Sequence, residues 1–300
     1  MEILEATILN QVEKTNPILA ETLRKEFIYI VSEFPDLQKH LFEKLITFLK
    51  LQEKDLQYGV ECLIRKSNDL FEERLKFLRT SQYSHNSFSE VNENVYNKPK
   101  VMEYHTIGLL MIEMLMSNNY KRMQFLVIIL KRLMDNISSY LEIGGGHGMY
   151  LWQAEKVLKR NAVFDLVDIS KTSIAMAKLF LDNLPVNYYH NDIFEFTSTA
   201  GYDFISMCEI LEHMEKPASL LQKAKSLLHS RGHIFITTPI NSPAIDHIYL
   251  FDSVKSVRSL LCNNGLNIIE EKCSTYYNLS VNESEKRKMP IDYFALVQCA

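Results

Sequence analysis

Four of the chain's nine glycines fall within five residues, in the stretch LEIGGGHGMYLW at 141–152. Glycine weakens helices and strands alike. A chain that uses it rarely and then concentrates it needs a backbone that turns sharply or comes very close to something. The cluster follows a strand-like run, SYLEI (139–143), and opens a helical pattern, MYLWQAEKVLKR (149–160). A strand, a glycine loop and a helix in that order suit a nucleotide-type ligand: the loop lets the ligand reach the backbone, and the helix N-terminus favours an anionic group.

The sequence around the loop shows what surrounds it. From residue 139 onward short apolar runs alternate with helical patterns. Strands are expected at 139–143, 162–168, 186–192, 202–208, 233–239, 266–273 and 293–299, and helices at 149–160, 173–184 and 218–228. Such alternation implies α/β architecture, a doubly wound, mainly parallel seven-stranded sheet with helices on both faces. Its ligands bind beyond the carboxyl ends of the strands, where the strand order reverses. Residues 1–80 instead show helical periodicity, with Leu19, Leu23, Phe27, Ile30, Val31 and Phe34 on one stripe, an Asn16-Pro17 start and a restart at Pro35. The polar stretch 80–100 has no period and reads as a loop or linker. Two more helical patterns follow, near 101–117 and 119–135. The expected division is an all-helical N-terminal domain, 1–95, forming a lid or a homodimer contact, and an α/β domain, 96–300.

Composition narrows the function. At 47% hydrophobic residues the chain can bury a large core, and its net charge of −4 gives no sign of a general nucleic-acid or membrane-surface binder. The five cysteines form no CxxC pair, which argues against a disulfide framework or zinc ribbon. The opening MEILEATILNQVEK carries acids in its apolar stretch and does not read as a signal peptide. No apolar run approaches a membrane span. A cytoplasmic protein is expected.

A dinucleotide loop would continue G-x-G-x-x-G, but the position it requires is Met149. What stands here is Glu142-x-Gly144-x-Gly146-x-Gly148, with Gly145 inside it. This pattern closing a first strand resembles motif I of the class I S-adenosylmethionine-dependent methyltransferases, whose fold is Rossmann-like. Its companions fall at the family's spacing: Asp168 ends the second strand, 20 residues past Gly148, and Asp192 ends the third. The segments MCEILEHMEKP (207–217) and ITTPINSP (236–243) resemble those after strands four and five. The resemblance spans roughly residues 100–300 and implies S-adenosyl-L-methionine as cofactor. It implies that Asp168 accepts the ribose hydroxyls, Ile169 packs on the adenine, and Asp192 with Ile193 lies at the adenine edge. Glu142 would orient the loop or reach the methionine ammonium. Gly144 and Gly146 would let the methionine chain lie on the backbone. Cys208 and Tyr104 complete the expected cofactor contacts, with Tyr96 and His105 also able to face it.

The chemistry is expected in CEILEHM. Glu209, Glu212 and His213 stand at i, i+3 and i+4, and on a helical turn they would share one face. Three readings stand side by side. His213 is a general base, with Glu209 as a further catalytic acid or base. Or Glu209, Glu212, His213 and His247 hold Mg2+ or another divalent cation. Or the acids cap a helix and the histidine is packed. The E-x-x-E-H set is similar to segments of the ubiquinone-biosynthesis O-methyltransferases and of the small-RNA 2′-O-methyltransferases. The expected function is methyl transfer to an oxygen, less readily a nitrogen, of a small metabolite. RNA 2′-O-methylation, a non-catalytic protein of the same fold and a nicotinamide oxidoreductase are the alternatives. RNA is disfavoured by the missing basic stripe.

Overall fold

The computed structural model describes residues 2–159 and 161–300. Met1 and Arg160, at the ends of two expected helical stretches, lie outside the described residues. The chain runs α1 (Glu2–Glu13), α2 (Pro17–Glu33), α3 (Pro35–Leu51), α4 (Leu56–Thr80), α5 (Phe88–Val91), α6 (Pro99–Leu115) and α7 (Ser117–Leu133). Then come β1 (Ser139–Ile143), α8 (Met149–Val157), β2 (Val163–Asp168), α9 (Lys171–Leu181), β3 (Val186–His190) and β4 (Tyr202–Cys208). It ends with α10 (Pro217–Leu227), β5 (Leu228–Ile240), α11 (Val254–Asn263), β6 (Leu266–Thr275), α12 (Val281–Lys286) and β7 (Ile291–Cys299).

Local signals set many of these boundaries. The Asn16 side chain accepts the Leu19 N–H ahead of Pro17, and Asp55 caps α4 by accepting from Tyr58. The strands form one sheet in the order β3-β2-β1-β4-β5-β7-β6. All neighbours are parallel except β7, which runs antiparallel to both β5 and β6. The architecture is therefore the doubly wound α/β sheet expected, preceded by helices. The order reverses between β1 and β4, so a crevice opens beyond their carboxyl ends.

The two sheet faces belong to two cores. Tyr140, Phe164, Phe204, Phe235 and Phe294 point to one face and join a single buried cluster that reaches back through Met123, Leu63 and Phe48 to Ile8. Their chain neighbours Leu141, Ile205, Ile234 and Ala295 point to the other face and pack against α10 and α11. The N-terminal helices thus share one core with the sheet.

The stretch 80–100 departs from the expected linker. It forms α5 and then a wide π-type turn, Asn92–Tyr96, closed by the Asn97 N–H to the Asn92 carbonyl at 2.8 Å. Val91 and Val95, one turn apart, anchor it against Met102 and Ile248. Two apolar anchors among polar neighbours are too few to show a period. Helices α11 and α12 are also additions to the sequence reading. Both are short and start from serine capping boxes, at Ser253 and Ser280. Among the described residues no helix is long and apolar enough to cross a membrane.

Helices α4 and α6 approach closely at Gly108. A Cβ there would lie 2.6 Å from the Cys62 carbonyl and 2.7 Å from the Lys66 Cβ. Gly108→Ala is expected to lower stability by about 1–3 kcal/mol through overpacking. An unchanged midpoint in a urea titration would contradict that contact.

Candidate active site

At the crevice a cavity of about 1110 Å³ opens. The loops after β1, β2, β3 and β4 form one wall, and α6 with the 88–97 segment forms the other.

The glycine loop is built by tight packing on one side and open space on the other. Gly144 donates its N–H to the Val167 carbonyl at 2.8 Å, and the backbone then passes through positive φ at Gly144, Gly146 and Gly148. A Cβ at Gly144 would strike Ile210, one at Gly145 would strike Leu166, and one at Gly148 would strike Leu181. At Gly146 a Cβ would meet nothing within 4 Å, so there the bare backbone borders the cavity. Asp168 holds this turn, accepting the Gly146 N–H at 3.1 Å on one oxygen and the Ser170 N–H at 2.7 Å on the other. Burial raises its pKa above its ordinary value, although these bonds oppose the shift.

Glu142 lies within β1, its Oε2 buried without a hydrogen-bond partner, and burial pushes its carboxyl up to about 8. Ile169, 49% exposed, Asp192, Ile193 and Cys208 all border the cavity. The open backbone at Gly146, the orphaned carboxyl oxygen of Glu142 and the exposed Ile169 fit S-adenosylmethionine: an amino-acid chain, an ammonium and an adenine face have places to go.

Tyr104 does not. Its hydroxyl donates to Asp69 Oδ2 at 2.8 Å and Arg65 lies over its ring, so it faces α4 rather than the cavity. The expected cofactor contact is corrected on that ground. Its neighbour His105 turns inward instead.

The E-x-x-E-H segment is not a helical face. Glu209 leaves β4 with φ at +54°, and a 3₁₀ turn, Leu211–His213, follows. Glu209 also lines the cavity but is not grouped with the other two. Its Oε1 pairs with Arg122 Nη1 at 2.7 Å and accepts the Thr237 hydroxyl at 2.7 Å. Arg122 is buried and also pairs with Glu113 at 2.6 Å. Glu209 is thereby an ion-paired carboxylate that ties β4 to α7. It is neither a free base nor a member of the cation set.

Glu212, His213 and His247 do come together, with one ligand atom from each within 4.8 Å of the others. Glu212 is fully buried. Its Oε2 accepts the Thr238 hydroxyl at 2.9 Å, while Oε1 has no hydrogen-bond partner. Burial, with the Glu209 charge adding to it, holds its carboxyl well above the usual range. His213 Nδ1 is 2.8 Å from the Asp246 carbonyl and His247 Nδ1 is 2.6 Å from the Ser242 carbonyl. A carbonyl only accepts, so both rings carry a proton on Nδ1 and leave Nε2 for other partners; the Tyr96 hydroxyl also lies 3.4 Å from His213 Nδ1. Burial also pushes the His247 imidazole down to about 3. The rings stand edge to face, 4.9 Å apart.

Several residues at this end escaped the sequence reading. Lys66, Glu113, His147 and Tyr150 also border the cavity. The one available signal was Lys66, a charge falling on the apolar stripe of α4 three residues after Leu63.

The Glu142 geometry gives a pH dependence. In the free protein its carboxyl is protonated below about pH 8. An ammonium placed against it favours the carboxylate, so binding releases a proton. Affinity for S-adenosylmethionine is expected to rise with pH, by up to about tenfold per unit, and to level off near pH 8. Titration calorimetry should show that rise, and Glu142→Gln should abolish it. A flat profile in the unaltered chain would contradict the contact.

Comparison with known proteins places the chain in a family. A family model for a methyltransferase domain matches residues 116–280. The ubiquinone biosynthesis O-methyltransferase of Coxiella burnetii is 30% identical over 124 residues, covering 40% of this chain and 51% of that protein. That of Marinobacter nauticus is 30% identical over 109 residues, covering 34% and 44%. The chain spans about half the length of the curated relatives it matches. Among solved structures, the mitomycin 7-O-methyltransferase MmcR superposes with a TM-score of 0.54 at 11% identity, over 81% of this chain and 70% of that one, a likeness of fold alone. With the family model spanning more than half of its length, and the glycine loop and Asp168 in place, the chain belongs to the class I S-adenosylmethionine-dependent methyltransferases.

Proposed function

We propose that the protein methylates a hydroxyl oxygen of a small, largely apolar acceptor. The observation that carries this reading is His213. Its Nδ1 is committed to the Asp246 carbonyl, the residue lines the cavity beyond β4, and its Nε2, the nitrogen left for a substrate proton, lies 3.8 Å from Glu212 Oε1.

The cofactor supplies an electrophilic methyl on a sulfonium sulfur. The chain's own residues do the rest. Gly146, Asp168 and Glu142 bind and orient, and Ile169 with Ile193 offers an apolar face. Phe88, Met102, Leu109 and Met214 also line the cavity and suit an apolar or aromatic acceptor body, and the Tyr96 hydroxyl lies 3.4 Å from His213 Nδ1. Holding that acceptor in line is the larger part of the task, and His213 Nε2 then takes the hydroxyl proton as the oxygen attacks. The O-methyltransferase names of the curated relatives support oxygen over nitrogen.

A second reading is favoured by Glu212, whose buried Oε1 has no partner. Glu212, His213 and His247 would hold a divalent cation, and their donor set of one carboxylate and two imidazoles suits one. Such an ion would lower the pKa of a hydroxyl bound beside it. Both Nδ1–H groups already donate to carbonyls, the orientation that metal-ligating histidines commonly show.

The test uses S-adenosylmethionine with a radioactive methyl, catechol and phenol as acceptor probes, and parallel assays with Mg2+ and with a chelator. Methyl transfer to either probe is expected. Transfer to catechol that needs Mg2+ supports the cation, and transfer to both probes in chelator supports His213 as base. His213→Gln is expected to reduce kcat by roughly 10²–10⁴-fold while cofactor affinity stays within about twofold. Transfer only to amine probes would overturn the hydroxyl reading.

A further inference from the structure

Behind His213 lies a chain of buried polar groups that the methyl transfer does not touch. Lys66 on α4 is 2% exposed, and its Nζ is 3.2 Å from His105 Nδ1 on α6. His105 Nε2 is 3.3 Å from Asp246 Oδ2, and both residues are buried. Asp246 Oδ2 is in turn 3.7 Å from His213 Nδ1, whose proton goes to the Asp246 carbonyl.

We propose that Lys66 and His105 are positioning residues for His213, acting through Asp246. The helical region would then supply part of the working site as well as its cover. The direction of every bond follows from the donors. The Asp246 carboxylate only accepts and burial keeps the His105 ring neutral, so His105 Nδ1 is left to accept from Lys66. The His105 proton then sits on Nε2 and is donated to the Asp246 carboxylate. Asp246, fixed from behind, presents its carbonyl and one carboxylate oxygen to His213 Nδ1, and both favour a proton there. The result is a single tautomer with Nε2 bare and the ring held in place. That is what either a base or a cation ligand requires, so the inference rests on the role given to His213 and not on the choice between them.

The location is costly. Burying an ammonium and a carboxylate is unfavourable unless each is satisfied, and hydrophobic residues could fill the same space. A packing role alone would not need three polar groups in series aimed at one imidazole. Gly108, which lets α4 meet α6 beside the Lys66 Cβ, sits one turn from His105 on α6.

The test is ring nitrogen–proton correlation spectroscopy on the full chain labelled with ¹⁵N-histidine, with S-adenosylhomocysteine bound. His105 and His213 are assigned from His105→Gln and His213→Gln. The unaltered chain is expected to show His105 as the Nε2–H tautomer and His213 as the Nδ1–H tautomer. In Lys66→Met and in His105→Phe, His213 is expected to show a mixture. His105→Gln can still donate to Asp246 and is expected to keep the His213 pattern. With catechol as acceptor, the two disruptive variants should lose about tenfold in kcat, with the KM for S-adenosylmethionine within twofold and His105→Gln partly restored. A single Nδ1–H tautomer of His213 that persists in both folded disruptive variants would overturn the proposal, as would an Nδ1–H tautomer of His105 in the unaltered chain. If one disruptive variant does not fold, the other decides. The spectra need no acceptor, so failure of the proposed function and failure of this inference are read separately.

Discussion

A parallel sheet must be covered on both faces, and in this chain the helical region covers one of them. The aromatic side chains of β1, β2, β4, β5 and β7 that face it join one buried cluster with helices beginning near Ile8. Much else follows from that contact. Helices α6 and α7 must lie against the sheet beside the crevice. Arg122 on α7 then meets Glu209, His105 on α6 meets Asp246, and the 88–97 segment ahead of α6 borders the cavity. The helices that cover the sheet also form a wall of the cavity.

The electrostatics of the site divide along the same line. On the β1–β2 side, Glu142 and Asp168 are buried carboxyl groups whose pKa values lie above the usual range, and only Asp168 has both oxygens satisfied. On the β4 side, Glu209 is ion-paired with Arg122 while Glu212 is left with one bare oxygen. Two orphaned, buried carboxyl oxygens on residues that line one cavity are expensive to maintain in an isolated fold. They are accounted for if each meets a positive partner: an ammonium at Glu142, and a cation or imidazolium beside Glu212.

The glycine loop, the strand that ends at Asp168 and the parallel sheet were legible because they depend on local order: a glycine cluster between a strand and a helix, then an acid at the next strand end. Glu209 was misread because spacing assumes a helix, and the residue instead leaves its strand at positive φ, which no spacing reveals. Tyr104 and His105 are adjacent, and which of them faces the cavity depends on how α6 is rotated against α4. The partnership of Lys66 with Asp246 spans most of the chain, and only the folded packing brings them together. The 88–97 segment hid for the opposite reason: two valines hold it, and its polar remainder looks like any linker.

The most direct measurement is a crystal structure with S-adenosylhomocysteine and manganese, read from the anomalous difference map. The product is expected along the loop at Gly146, with its ribose at Asp168 and its sulfur facing His213 across the cavity. Any manganese peak should lie among Glu212, His213 and His247 and not at Glu209. Product bound with its sulfur turned away from His213, or a manganese peak ligated by Glu209, would contradict this arrangement.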